Sequence, residues 1–242
     1  MKAKVKKAVS MVLIAAAAAF VWMFLYSLSD QVSIGGESYS KKSTWLNIDA
    51  NEEDFSVKKL NKFKKLEHLT IDHINDEMLG EFGDFDKLKE LYIYYSKLSE
   101  SLSKLEEYPK LGVIVFHRST VDLKKFSSTA EYLYFDECKL TNVSALKECS
   151  SLISMEFEST AVDEYIVPIE EGDNETRYVM KDSSFFEGFN SVSILDLENI
   201  EIEDISGLLK MEKLKVVKVS EDKISAEFIT QLKENGIEIK LL

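Results

Sequence analysis

The chain is poor in residues that break, staple or metallate a fold. Only 2 prolines and 9 glycines occur among 242 residues, which excludes collagen-like and long low-complexity stretches. The 2 cysteines, Cys138 and Cys149, are too few for a disulfide framework, and no C-x-x-C spacing offers a zinc site. A single pairing of the two stays open for a chain in an oxidising compartment. Histidine is equally scarce: His68, His73 and His117 are the whole set. With Asp72 they show no single-element ligand spacing, so neither a metal nor a cofactor is expected. Nucleophile elbows, H-E-x-x-H, P-loops and G-x-G-x-x-G are all missing. Asp136, Glu156 and Glu158 could be posed as a glycosidase pair. Carboxylates are common along so acidic a chain, however, and the expectation is a binding protein and not an enzyme.

Positive charge is also in short supply. Thirty Lys and Arg stand against 43 Asp and Glu, for a net charge of −13. The stretch from Met1 to Leu28 holds Lys2, Lys4, Lys6 and Lys7 and no acid, so the remainder is more acidic still. Such a body repels nucleic acid, whose binding depends on phosphate neutralisation by Lys and Arg. It also disfavours adhesion to anionic lipid.

What is present is a globular composition, 45% hydrophobic and 30% charged. A basic tail, 1–7, precedes a run from Ala8 to Leu28 that carries no charge. About 20 apolar residues span the hydrocarbon core as a helix. Trp22 and Tyr26 suit the far interface, and the lysines hold the N-terminus on the cytoplasmic side. Residues 8–28 therefore read as a transmembrane signal anchor that puts the body outside the cytoplasm. Cleavage before Asp30, with Ser27 and Ser29 as the small residues, is the alternative and would release a secreted body. Residues 29–43, with Gly35, Gly36 and several serines, read as a polar tether.

From residue 44 onward one pattern recurs. It runs Leu66-x-x-Leu69-x-Ile71, Leu88-x-x-Leu91-x-Ile93, Leu111-x-x-Ile114-x-Phe116 and Ala130-x-x-Leu133-x-Phe135. It continues as Leu152-x-x-Met155-x-Phe157, Val192-x-x-Leu195-x-Leu197 and Leu214-x-x-Val217-x-Val219, with Leu46-x-Ile48 before and Ile237-x-Ile239 after. The steps are nearly even except for a long one from Met155 to Leu195. Each strand is followed by a second signature, such as Ser96 and Leu98, Ser119 and Val121, or Cys138 and Leu140. A period of this kind means a stack of units that bury a core only together.

These residues resemble the leucine-rich-repeat family, L-x-x-L-x-L-x-x-N/C-x-L, over 44–242. Leu140-Thr-Asn-Val143-Ser-Ala-Leu146 and Ile202-Glu-Asp-Ile205-Ser-Gly-Leu208 look like its 22-residue internalin-like subtype. The resemblance implies an α/β fold. It would be a right-handed solenoid with a curved parallel sheet on the concave side and short helices or 3-10 turns on the convex side. It also implies a binding scaffold, and it places Cys138 in the core. Ser, Thr, Cys, Ile or Asp often stands where the family has Asn, so the buried Asn ladder is largely missing. The long step marks an insertion near 163–184, with Pro168 and the acidic run Glu170-Glu171-Gly172-Asp173, read as a solvated excursion. At the other end, Ser225 suits a helix N-cap, with Phe228, Ile229 and Leu232 on one face and Asn235-Gly236 as the stop. Glu238 and Lys240 on the last strand discourage edge pairing.

Alternation along each strand sends every second side chain to the concave face. There the sequence gathers Trp45, His68, His73, Tyr92, Tyr94, Tyr95, His117, Arg118, Tyr132 and Tyr134, followed by Asp136, Glu156, Glu158, Asp196 and Glu198. Tyr, Trp and Arg anchor interfaces. The expected partner is a protein or peptide, with the acidic flank suited to a cationic one. Recognition of wall polysaccharide by an envelope-associated structural protein is the alternative, since sugar rings stack on aromatics.

Overall fold

The computed structural model describes residues 30–171 and 175–242. The anchor expected at 8–28 and the basic tail lie outside the described residues. Among the described residues, no helix is long and apolar enough to cross a membrane.

Period-two apolar patterning needs a neighbour strand and a covered face, and the chain supplies both once per repeat. After a hairpin of β1 (Gln31–Ile34) and β2 (Glu37–Ser40) come β3 (Trp45–Asp49), β4 (His68–Asp72) and β5 (Glu90–Tyr94). β6 (Lys97–Leu98), β7 (Val113–His117), β8 (Thr120–Asp122), β9 (Tyr132–Asp136), β10 (Lys139–Thr141), β11 (Ser154–Glu158) and β12 (Ala161–Val162) follow. The chain ends through β13 (Ile166–Glu171), β14 (Glu175–Met180), β15 (Ile194–Leu197), β16 (Ile200–Ile202), β17 (Val216–Val219) and β18 (Glu238–Leu241). The repeat strands β3, β4, β5, β7, β9, β11, β15, β17 and β18 form one nine-stranded parallel sheet in that order. The fold is thus α/β, built on parallel strands, one per repeat.

The register confirms the alignment of repeats at every step but the last. Leu46, Leu69, Leu91, Ile114, Leu133, Met155, Leu195 and Val217 stand opposite one another in turn. Opposite Val217 stands Ile239 and not Ile237. The final step therefore matches the one before it, from Leu195 to Val217. The alignment on Ile237 is off by one full alternation of the strand, which keeps the same face inward. The inward residues of the central repeats make a stack of rings: Phe116 on Phe135 at 5.6 Å and 5°, then Phe135 on Phe157 at 5.5 Å and 20°.

A second sheet was not legible as such. Short strands β6, β8, β10 and β12 pair in parallel, one after each of the long strands β5, β7, β9 and β11. After β4, β5, β7, β9, β11 and β15 the chain turns through a left-handed residue: His73, Tyr95, Arg118, Glu137, Ser159 and Asn199 all have positive φ. Behind these turns a small polar side chain points inward and replaces the missing Asn. Ser96 Oγ accepts from the Ile74 N–H at 3.0 Å, and Ser119 Oγ accepts from the Ser96 N–H at 3.0 Å. The Cys138 thiol donates to the Phe116 carbonyl at 3.3 Å, and Thr160 Oγ1 accepts from the Cys138 N–H at 3.2 Å. Such buried backbone groups need partners, and hydroxyls and a thiol suffice. Cys138 and Cys149 are both buried and both free.

Two expectations are corrected here. The 163–184 insertion is not a solvated excursion. β13 and β14 form an antiparallel hairpin whose base joins β12 on one side and β16 on the other, so it carries the second sheet across the long step. Ile166, Val179 and Met180 are fully buried there. Residues 172–174, part of the acidic run, lie outside the described residues. The stretch read as a polar tether is not one from residue 30 onward. β1 and β2 pair around Gly35 and Gly36, both at positive φ, and bury Val32 and Ile34 against the first repeat. In both segments a few buried side chains decide the placement against a polar majority.

The far end closes as its pattern predicts. Ser225 Oγ accepts from the Phe228 N–H at 3.2 Å at the start of helix α3, Ala226–Glu234, the third after α1 (Val57–Leu60) and α2 (Asp76–Gly80). Leu232 is buried, Asn235 is the C-cap and Gly236 sits at φ 78°. Several connecting turns are 3-10, for example Leu102–Glu107 and Val143–Glu148.

Candidate functional site

The outward face of the nine-stranded sheet has no covering layer among the described residues, and it carries the expected side chains. Their centre is an aromatic and histidine cluster on β4, β5 and β7. The His73 ring stacks on Tyr95 at 5.4 Å and 17°. His117 meets Tyr94 edge-on at 5.2 Å and Tyr95 at 5.9 Å. His73, Tyr95 and Arg118 each sit in a left-handed turn at the end of their strand. A non-glycine residue in that region costs on the order of 1–2 kcal/mol, so each must be held by its surroundings.

Carboxylates supply the hold. His73 Nδ1 lies 2.9 Å from Asp49 Oδ1, His117 Nδ1 2.5 Å from Asp136 Oδ2, and His68 Nδ1 3.0 Å from Glu90 Oε2. Arg118 donates to both Glu137 oxygens, at 2.8 and 2.9 Å, and its third nitrogen reaches the Tyr95 hydroxyl at 3.5 Å. The Glu137 hydrogen bonds keep the Arg118 guanidinium firmly protonated. The Tyr92 hydroxyl donates to Glu90 at 3.1 Å, and the Tyr134 hydroxyl donates to Glu158. Every expected histidine thus has its own acid, on a neighbouring strand of the same face.

The flank toward β15 is acidic, as expected. Oxygens of Glu156, Glu158 and Glu198 lie within 4.8 Å of one another. Burial, and then the charge of Asp196, push the Glu156 carboxyl up to about 7. Burial and the Glu158 charge also raise Glu198. Asp196 itself departs from expectation. It is only 4% exposed and pairs with Lys218 at 2.9 Å, so it shapes the field beneath the surface and is not offered to a partner. Its Oδ1 has no hydrogen-bond partner.

The surface is uneven in exposure. Trp45, Tyr95 and Tyr132 are the open rings, 58%, 44% and 45% exposed, whereas Tyr92, Tyr94 and Tyr134 are half-buried between strands. Asp49 and Glu137 belong to the site as much as the residues they hold, yet single positions gave no signal for them. Reading one row across the repeats pairs Asp49 with Asp72, and only the backward lean of His73 makes it a partner.

No family model matches the chain, and no curated protein matches it. Solved structures do. An internalin, InlF, from Listeria monocytogenes is 16% identical over 85% of this chain and 64% of its own, with a TM-score of 0.45. The plant peptide hormone receptor RGFR1, solved with RGF2, is 12% identical over 75% of this chain and 33% of its own, with a TM-score of 0.39. A chain of the octameric complex of Latrophilin 3, Unc5D and the leucine-rich-repeat protein FLRT2 is 11% identical over 84% of this chain and 85% of its own, at 0.33. The chain spans less than two thirds of the InlF chain and one third of RGFR1. The likeness concerns architecture alone.

Proposed function

We propose that this chain is a membrane-anchored, extracytoplasmic leucine-rich-repeat module that binds a protein or peptide across the open face of its long sheet and catalyses no reaction. The observation that supports this most directly is the ring cluster of His73, Tyr94, Tyr95 and His117 beside an acidic flank. Rings offer contact area at low entropic cost, and the like charges of Glu156, Glu158 and Glu198 repel one another until a cation neutralises them. A cationic peptide fits both halves. The charge-free run Ala8 to Leu28 after four lysines supports the anchor.

The test is capture of partners from envelope extract by the full chain and by a variant with Tyr92→Ala, Tyr94→Ala and Tyr134→Ala together, each at low and high salt. A protein or peptide held at low salt, released at high salt and lost in the variant supports the reading, because exposed charge pairs are screened. Equal capture by the variant sinks it. Salt-insensitive capture of wall glycan would favour the second reading, for which the exposed rings of Tyr95 and Tyr132 speak. Protease treatment of intact cells tests the anchor separately, since an extracytoplasmic body is cut and a cytoplasmic one is spared.

A further inference from the structure

A cavity of about 360 Å³ lies between the N-terminal hairpin and the first strand of the long sheet. Glu37 and Tyr39 come from β2, Trp45 and Asp49 from β3, and Glu52 from the turn that follows. The cavity has the dimensions of a small-ligand site, a class that begins at about 300 Å³. Its lining contains two aromatic rings and three carboxylates, and no Lys or Arg.

The placement follows from the ends of the sheet. Within the sheet the other rings of the Trp45 row, His68 and Tyr132, have a strand on both sides. β3 is the edge, so Trp45 has a neighbour only toward His68, and its other side is open to the cavity. That leaves an indole 58% exposed, the most exposed large apolar side chain among the described residues. Glu52 can reach over the hairpin because residue 35 is glycine: a Cβ there would meet the Glu52 Cγ at 3.1 Å, and φ is 62°. Three carboxylates without a Lys or Arg in the lining make the field in the cavity negative, and burial, the Glu37 hydrogen bond and the nearby Glu52 charge push the Tyr39 phenol up to about 12. Asp49 also pairs with His73, which joins the cavity to the ring cluster of the open face.

We infer that this cavity is a binding site for a compact organic cation, an alkylammonium or alkylguanidinium group seated on Trp45 and Tyr39 and neutralised by Glu37 and Glu52. An aromatic face attracts a cation through its quadrupole, tryptophan most strongly. The three carboxylates add Coulomb attraction that a neutral group of the same shape does not feel. The site goes beyond the reading of the open face. A free cation tests the cavity alone, and its failure would leave the Tyr94 to Tyr134 surface untouched.

The chain has two tryptophans, so Trp22→Phe leaves Trp45 as the single reporter in the full chain, held in a nonionic detergent. Its fluorescence is titrated with n-butylguanidinium, with choline, and with 3,3-dimethylbutan-1-ol, the neutral isostere of choline. Saturable shifts are expected with a cation, roughly five- to tenfold tighter than with the neutral isostere. Preference for butylguanidinium would mark an Arg or Lys side chain as the natural occupant. Preference for choline would mark a methylated ammonium. Glu52→Gln lies at an exposed position and should weaken cation binding roughly three- to tenfold while leaving the neutral compound unchanged. The inference is overturned if the alcohol binds as well as the cations, if Glu52→Gln has no effect, or if no cation saturates below about 50 mM.

Discussion

At the scale of single residues, the turn after each strand does without an inward Asn because it needs only one inward donor and acceptor. Ser96, Ser119, Cys138 and Thr160 meet that need with different chemistry. For Cys138 this has a chemical consequence. Burial pushes its thiol up to about 12, and burial raises Cys149 as well. The thiolate is the reactive form, so neither cysteine should react with a disulfide reagent such as DTNB in native protein at pH 8, and both should react once urea unfolds it. Stoichiometric labelling within seconds under native conditions would contradict the buried placement. Gly207 is a second residue whose identity matters. A Cβ there would lie 1.8 Å from the Ser183 carbonyl oxygen, a backbone atom that cannot step aside. Gly207→Ala should cost at least about 2 kcal/mol of unfolding free energy in a urea titration, well above a surface substitution. The same change at Gly80, where nothing lies within 4 Å, serves as the control.

At the scale of elements, the two hairpins decide how the stack ends and how it crosses its long step. β13 and β14 hold three fully buried side chains, Ile166, Val179 and Met180. Ile166→Ala and Met180→Ala should each destabilise by about 2–5 kcal/mol, as core truncations do. A merely solvated loop would lose less than about 0.5 kcal/mol. Chemical denaturation separates the two. Ile34→Ala in β1 should behave like the core changes too, because Ile34 is 1% exposed. Repeat arrays need capped ends, since an uncapped unit leaves its apolar face to water. The N-terminal hairpin does at one end what α3 and β18 do at the other.

At the scale of the whole molecule, charge is arranged against stability on one flank. The Glu156 carboxyl is raised from the ordinary 4.5 to about 7. Its raised value means the folded state binds more protons between those limits. Stability from this group is therefore present below about pH 4.5 and is lost as pH rises toward 7. Asp76 works the other way. Burial pushes it up, but hydrogen bonds from Ser99 and Ser101 outweigh that and hold it at about 2, so its contribution is present above pH 3.8 and lost as pH falls toward 2. The chain should be most stable near pH 4–5 as far as these two groups decide it. Glu156→Gln should flatten the decline between pH 5 and 7 and stabilise the protein at pH 8. Thermal unfolding across that range is the measurement, and an unchanged slope in the variant would refute the assignment. The same proton couples to the proposed partner: a cationic peptide should bind more tightly as pH rises through 7.

Much of this was legible in the sequence alone. The even apolar steps from Leu46 to Leu69 to Leu91, the inward Leu, Ile and Phe, the Ser225 cap and the row of rings all follow from a period-two strand repeated at a fixed interval. Local propensity and patterning are enough for that, because each repeat meets a near copy of itself. The hairpins at 30–40 and 166–180 were not legible, since each occurs once and its few apolar residues gain meaning only from the surface they cover. The register of the last strand, the burial of Asp196 and the pairing of His73 with Asp49 were likewise decided by tertiary structure. Repetition determines which residues share a row. Contacts of segments that occur only once among the described residues, and the direction in which a left-handed turn throws a side chain, depend on atoms far away in the chain.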